Sequence, residues 1–186
     1  AILMDVNMPG MDGFAATRAL RADDATKDIP VVMVTAKDQK ADKAWGQTTG
    51  GRGALVCVLD TGIDPDHIDI AGKIDPALAV SFISDPLFPG DLAPLDYNFH
   101  GTASPGYIST NGIGMASVAP DAWLCSAKVL NVLGSGSFAD VIAGIDWASR
   151  NHADVINMSL GGTVDLTVPG AIDLVKLLQR AILTAH

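Results

Sequence analysis

Two short motifs hold the residues of this chain best suited to chemistry: Asp60 within Val58-Leu59-Asp60-Thr61-Gly62, and His100 within Phe99-His100-Gly101-Thr102. A buried carboxylate that orients an imidazole makes that imidazole a base for acyl transfer, provided a hydroxyl is present for it to activate. No serine motif follows His100 to complete the set. Taken singly, Asp60 reads equally as a strand-end carboxylate capping a turn, and His100 as a satisfied surface or cap histidine. Their order and context favour a pair.

The elements that must position them alternate. Apolar runs predict strands near 1–6, 31–36, 54–59, 78–83, 124–130 and 154–160, and helical patterns predict helices near 12–22, 38–48, 100–110, 137–150 and 169–184. Strands alternating with helices imply an α/β fold, three layers α/β/α around a mostly parallel sheet. On these ranges Asp60 follows the strand near 54–59 and His100 stands at the start of the helix near 100–110. The stretch from Ser84 to Asn98, rich in proline, glycine and acids, reads as a surface loop.

From about Leu55 to His186 the motifs resemble the subtilisin-like serine proteases (subtilases). The resemblance rests on both motifs above, on His67-Ile68-Asp69-Ile70-Ala71-Gly72-Lys73, on Val118-Ala119-Pro120-Asp121-Ala122 leading into Cys125-Ser126-Ala127-Lys128-Val129-Leu130, and on Val155-Ile156-Asn157-Met158-Ser159-Leu160-Gly161. It implies that Asp60 holds the imidazole of His100, which acts as general base and then general acid. Two family elements have no counterpart: the oxyanion-hole asparagine on the next strand and the Gly-Thr-Ser-Met-Ala helix that carries the nucleophile. The helix after His100 reads His-Gly-Thr-Ala-Ser-Pro where the family usually has His-Gly-Thr-His-Val-Ala. Pro105 lacks an N–H and is expected only within a first helical turn.

The same resemblance implies a peptide or protein substrate, clamped as an added strand between Gly134-Ser135-Gly136 and Ser159-Leu160-Gly161. Read on its own, Gly134-Ser-Gly136-Ser-Phe-Ala139 also mimics a dinucleotide fingerprint, because it follows a strand and precedes a helix with Phe138, Val141, Ile142 and Ile145 on one face. The subtilase alignment explains those residues better. Ser137 and Asp140 form a helix-start signal. Relatives often carry calcium, so the resemblance allows Ca2+ without assigning its ligands.

The first fifty-odd residues resemble a different family, the response-regulator receiver domains, which are flavodoxin-like. Ala1-Ile-Leu-Met-Asp5-Val-Asn-Met-Pro-Gly-Met-Asp-Gly13 is similar to the phosphoacceptor strand and loop, and Val31-Val-Met-Val-Thr35-Ala to the next strand. By that resemblance Asp5 accepts a phosphoryl group and Thr35 senses it. Phosphoryl transfer to a carboxylate needs Mg2+ and a neutralising cation. The acidic pair that holds the metal would precede Ala1, and the family's lysine would fall near Cys57, so Mg2+ is expected only if that site were complete.

The organisation expected is a partial receiver-like segment over 1–53 followed by a partial subtilisin-like peptidase domain over 54–186. Their join falls inside one strand, Ala54 to Leu59. In a receiver that strand pairs with the Val31 strand, whereas in a subtilase its own partners flank it, here the segments near Cys125 and Val155. A strand has two edges, so the three pairings cannot coexist. If the subtilase sheet forms, the receiver strands must sit elsewhere, against the edge left by missing later strands, or stay poorly packed. Both parts look truncated, which exposes apolar faces and predicts a complementing chain or self-association through sheet edges. A first residue other than methionine fits a fragment, a processed piece or an engineered recombination.

Composition narrows the function classes further. Twelve basic against 21 acidic residues, net −9, argue against nucleic-acid or anionic-membrane partners. No apolar stretch is long enough to span a bilayer. Cys57 and Cys125 stand in apolar strands, which favours two buried thiols over a disulfide. Three functions stay open: an incomplete serine endopeptidase inactive alone, a phosphorelay signalling module with the protease-like part as scaffold, and an artificial chimera with no evolved function. Cellular location is open as well.

Overall fold

The computed structural model describes residues 2–5, 31–34 and 49–185. Six strands run through them: β1 (Ile2–Asp5), β2 (Val31–Val34), β3 (Leu55–Asp60), β4 (Ile74–Ser81), β5 (Trp123–Lys128) and β6 (Val155–Asn157). Three α-helices follow from β4 onward: α1 (His100–Gly106), α2 (Phe138–Arg150) and α3 (Ala171–Thr184). The helices expected near 12–22 and 38–48 lie outside the described residues.

Four strands form one parallel sheet in the order β4-β5-β3-β6. The strand at the join therefore takes the subtilase-type pairing on both edges, with Cys57 opposite Cys125 on one side and Ile156 on the other. β1 and β2 pair with each other instead, in parallel, from Ile2 opposite Val31 to Asp5 opposite Val34. β1 lies beside β6, the strand at the end of the larger sheet.

β3 is buried on both faces, as a central parallel strand must be. Successive side chains alternate faces. Cys57 and Leu59 join Cys125, Ala127 and Val129 under Val141, Ile145 and Ala148 of α2. Val56 and Val58 join Leu124 on the opposite face, under Ile63, Ile70, Ile108 and Ala122. Helix α2 approaches closely because Gly144 faces the sheet: a Cβ there would stand 2.7 Å from Val129 Cγ1. The helix starts where Ser137 and Asp140 exchange hydrogen bonds, Asp140 N to Ser137 Oγ at 3.1 Å and Ser137 N to Asp140 Oδ2 at 3.2 Å.

Element ends differ from the sequence expectations for local reasons. β4 begins at Ile74 rather than near 78 and carries Pro76, which an edge strand tolerates because one side of it needs no ladder donor. Its register with β5 slips between Ile74 and Ala79. β6 stops at Asn157 instead of continuing to 160, since the chain leaves the sheet there and Asn157 Nδ2 donates to Ser159 Oγ. α1 ends at Gly106 rather than near 110. Pro105 is the sixth residue of α1, beyond the first turn, and the helix accommodates it by stopping one residue later.

Candidate active site

Asp60 is the last residue of β3, carried into the interior by the apolar run before it, and its side chain is 1% exposed. The Thr61 amide donates to its Oδ1 at 2.7 Å. His100 is the first residue of α1 and is half exposed. Its Nδ1 lies 2.8 Å from Asp60 Oδ1 and 3.0 Å from Oδ2, so the carboxylate holds a proton on Nδ1 and leaves Nε2 as the basic nitrogen. The Ser104 hydroxyl donates to Oδ2 at 3.0 Å.

The loop that delivers His100 is organised by Asp96. Its Oδ1 accepts from the amides of Asn98 at 2.9 Å and Phe99 at 3.0 Å and from Thr61 Oγ1 at 2.9 Å; its Oδ2 accepts from Thr102 N at 2.8 Å and Thr102 Oγ1 at 2.7 Å. Those bonds keep Phe99 in a left-handed conformation at φ 76°, which costs a non-glycine residue about 1 kcal/mol. Thr61 Oγ1 in turn accepts from the Gly101 amide at 2.9 Å. Only glycine fits at position 101, where a Cβ would stand 2.0 Å from the Gly62 carbonyl oxygen.

His100 borders a cleft of about 410 Å³. Gly134 and Gly136 form one wall and Ser159, Leu160 and Gly161 the other, so five of the six residues expected to flank a peptide meet across one space. Ser135 stands outside that lining, its amide and carbonyl engaged by Asn131. Leu130, Phe138, Val141 and Leu178 add apolar side chains to the lining of the cleft.

Beneath the site lies a buried ion pair that the sequence reading passed over. Lys128, at the end of β5 opposite Asp60, and Asp91, in a short 3-10 helix of the 84–98 loop, are both fully buried. Lys128 Nζ donates to the Thr61 carbonyl at 2.5 Å and stands 3.1 Å from Asp91 Oδ1, a charge contact off hydrogen-bond alignment. Asp91 Oδ2 also accepts from Val132 N at 3.3 Å. The pair thus ties the Asp60–Thr61 turn to the segment leading into Gly134. The segment 84–98, read as a surface loop, contributes one interior anchor in Asp91, and a lysine inside the apolar run 123–130 was its visible trace.

Asp5 stands at the C-terminal end of β1 opposite Val34; Thr35 lies outside the described residues. Among the described residues no three His, Cys, Asp or Glu side chains gather as a metal site. Buried Asp69 accepts from the amides of Ile113 (2.8 Å) and Gly114 (2.9 and 3.1 Å). Cys57 and Cys125 are both free thiols. A side-chain hydrogen bond with Cys125, then burial, push the Cys57 thiol far above its ordinary value.

Comparison with known proteins agrees with both halves of the sequence reading. Residues 1–57 match the response regulator receiver domain, and residues 51–181 match the subtilase family, the two overlapping at the start of β3. Subtilisin DY of Bacillus licheniformis is 41% identical over 125 residues, covering 66% of this chain and 42% of that protein. An intracellular serine protease of Paenibacillus polymyxa is 42% identical over 139 residues, covering 74% of this chain and 41% of that protein. Thermitase of Thermoactinomyces vulgaris is 36% identical over 128 residues, covering 67% of this chain and 43% of its own length. The chain thus spans about two-fifths of the length of each of these three relatives, and on the match over 51–181 it belongs to the subtilase family.

Proposed function

We propose that this chain carries the Asp–His half of a subtilisin-type peptidase site together with its peptide-binding cleft, and that it does not hydrolyse peptides alone. The observation that carries the reading is the 2.8 Å contact of His100 Nδ1 with buried Asp60 at the head of a cleft walled by Gly134–Gly136 and Ser159–Gly161. In this reading Asp60 fixes the tautomer and ring orientation, and His100 Nε2 takes the proton of a nucleophilic hydroxyl and returns it to the leaving amine. No Gly-Thr-Ser-Met-Ala motif occurs among the 186 residues, so in this reading the nucleophilic hydroxyl and the oxyanion-hole asparagine are not supplied by them. An extended substrate of protein or peptide would lie between the two backbone walls with apolar side chains on Leu130, Phe138, Val141 and Leu178.

The test is paired. A chromogenic peptide with apolar residues should give no turnover above buffer with this chain, yet in excess it should shift the Gly134, Gly136 and Gly161 amide resonances. Turnover abolished by His100→Ala would overturn the incompleteness, and unmoved cleft amides would overturn the binding role.

A second reading, phosphorylation at Asp5, draws on the receiver match over 1–57 and on the place of Asp5 at a strand's end beside its parallel neighbour. Incorporation of label from acetyl phosphate that requires Mg2+ and is lost in Asp5→Asn would support it. Absence of label would leave the segment as scaffold.

A further inference from the structure

The carboxylate of Asp60 has one partner that the Asp–His arrangement does not require. Ser104 Oγ donates to Oδ2 at 3.0 Å, while the Thr61 amide fixes Oδ1 at 2.7 Å. The residue belongs to α1 four positions after His100, so the helix presents both side chains on one face, a turn apart. Where the family's usual His-Gly-Thr-His-Val-Ala has valine, this chain has a hydroxyl.

Aspartate's terminal torsion is broad, so a carboxylate held at one oxygen can turn about it. Without Ser104, the only other hydrogen-bonding partner of Oδ2 among the described residues would be the imidazole of His100, a ring that is itself half exposed. With Ser104, each oxygen has its own fixed donor, and the imidazole meets an acceptor edge already set. The other charged groups nearby act elsewhere: Lys128 is spent on the Thr61 carbonyl and Asp91, and Asp96 on Thr61 Oγ1 and the His100 loop.

We propose that Ser104 is a positioning residue of this site: its hydroxyl locks the Asp60 carboxylate in the orientation that holds His100 Nδ1–H. The inference rests on the reading of Asp60 and His100 given above.

The experiment uses the full chain labelled with 15N-histidine, cold and with the imidazole protonated, and follows the His100 Nδ1–H proton, assigned through His100→Ala. The parent should show a low-field, slowly exchanging signal. Hydrogen bonds to charged groups contribute enough that Ser104→Ala and Ser104→Val should each speed its exchange roughly tenfold or more, and Ser104→Thr should restore it to within about twofold. The Thr and Val variants match in volume, so the comparison stands even if Ala packs badly. Parental exchange in folded Ala or Val variants, or no rescue by Thr, overturns the role of Ser104. Asp60→Asn separates the two ideas. If it abolishes the signal while Ser104 variants keep it, only this inference fails. If it leaves the signal intact, or the parent has none, the Asp–His reading fails and the inference with it.

Discussion

Breaking the Lys128–Asp91 pair should destabilise the chain more than any exposed ion pair in it. Both side chains are fully buried with Nζ 3.1 Å from Oδ1, and at an effective dielectric of 20 that separation gives about 5 kcal/mol of attraction. Lys128→Met leaves the Asp91 carboxylate with long amide contacts from Val132 (3.3 Å) and Leu87 (3.5 Å), and it strips the Thr61 carbonyl of its donor. Asp91→Asn leaves a buried ammonium beside neutral acceptors with no counter-charge. Each single change should cost about 3–5 kcal/mol, the usual loss when one partner of a buried pair is removed. The double variant should cost less than either single change, because no unpaired charge remains. Urea unfolding followed by circular dichroism reads this directly: with slopes of about 1–3 kcal/mol per molar, either single change should lower the midpoint by about 2 M. Single losses below about 1 kcal/mol, or a double loss equal to the sum of the singles, would refute the claim that this pair ties the Asp60 turn to the cleft wall.

Three further outcomes follow from the geometry. Asp96→Ala removes the acceptor of five donors around the His100 loop; it should cost about 2–3 kcal/mol and broaden the His100 and Thr102 amide signals in an NMR spectrum. Ser126→Ala should be neutral or stabilising by about 1 kcal/mol in urea, because Ser126 Oγ is buried with no hydrogen-bond partner among the described residues. Cys57 ties stability to alkaline pH. Its folded-state value is raised by the Cys125 contact and by burial, so its contribution is fully present below the ordinary thiol range. Above about pH 9 the unfolded chain ionises Cys57 and the folded chain does not, so stability should fall with a slope approaching about 1.4 kcal/mol per pH unit. Cys57→Ala should flatten that slope; an unchanged slope in parallel urea titrations would refute it.

The apolar periodicity of β3, β5 and α2 was legible because burial on both faces of a parallel sheet forces long apolar runs, and the Ser137–Asp140 start of α2 is a local signal that depends on nothing distant. The ends of β4, β6 and α1 were not legible. β4 keeps Pro76 only because it became an edge, which is a property of the assembled sheet. At the site, Asp60 and His100 could be picked out because each sits in a short motif. Asp91, Lys128 and Ser104 could not, because each acts on a partner brought in from elsewhere in the chain, and of the bonds of Asp96 the one to Thr61 is distant in the same way. Lys128 was the exception in kind: a charge inside an apolar run must find a buried partner, but the sequence does not say which of 21 acidic residues supplies it.

The strand at the join shows how that logic decides between two folds. Its sequence serves as the last strand of one resemblance and the first of the other, and local propensity cannot choose. Pairing can, since β3 has two edges and its neighbours compete for them. With β5 and β6 the strand buries Val56, Cys57, Val58 and Leu59 on both faces, and it ends with Asp60 opposite Lys128. Taking β2 on one of those edges would displace β5 or β6. Loss of β5 would separate Asp60 from the lysine that holds its turn; loss of β6 would remove the strand that leads into Ser159–Gly161. The subtilase-type pairing therefore supports both the core and the cleft, which leaves β1 and β2 to pair with each other beside β6. Deleting residues 1–48 should accordingly leave the His100 Nδ1–H signal and the cleft amide shifts unchanged; loss of either would mean that the receiver-like strands hold the larger sheet together.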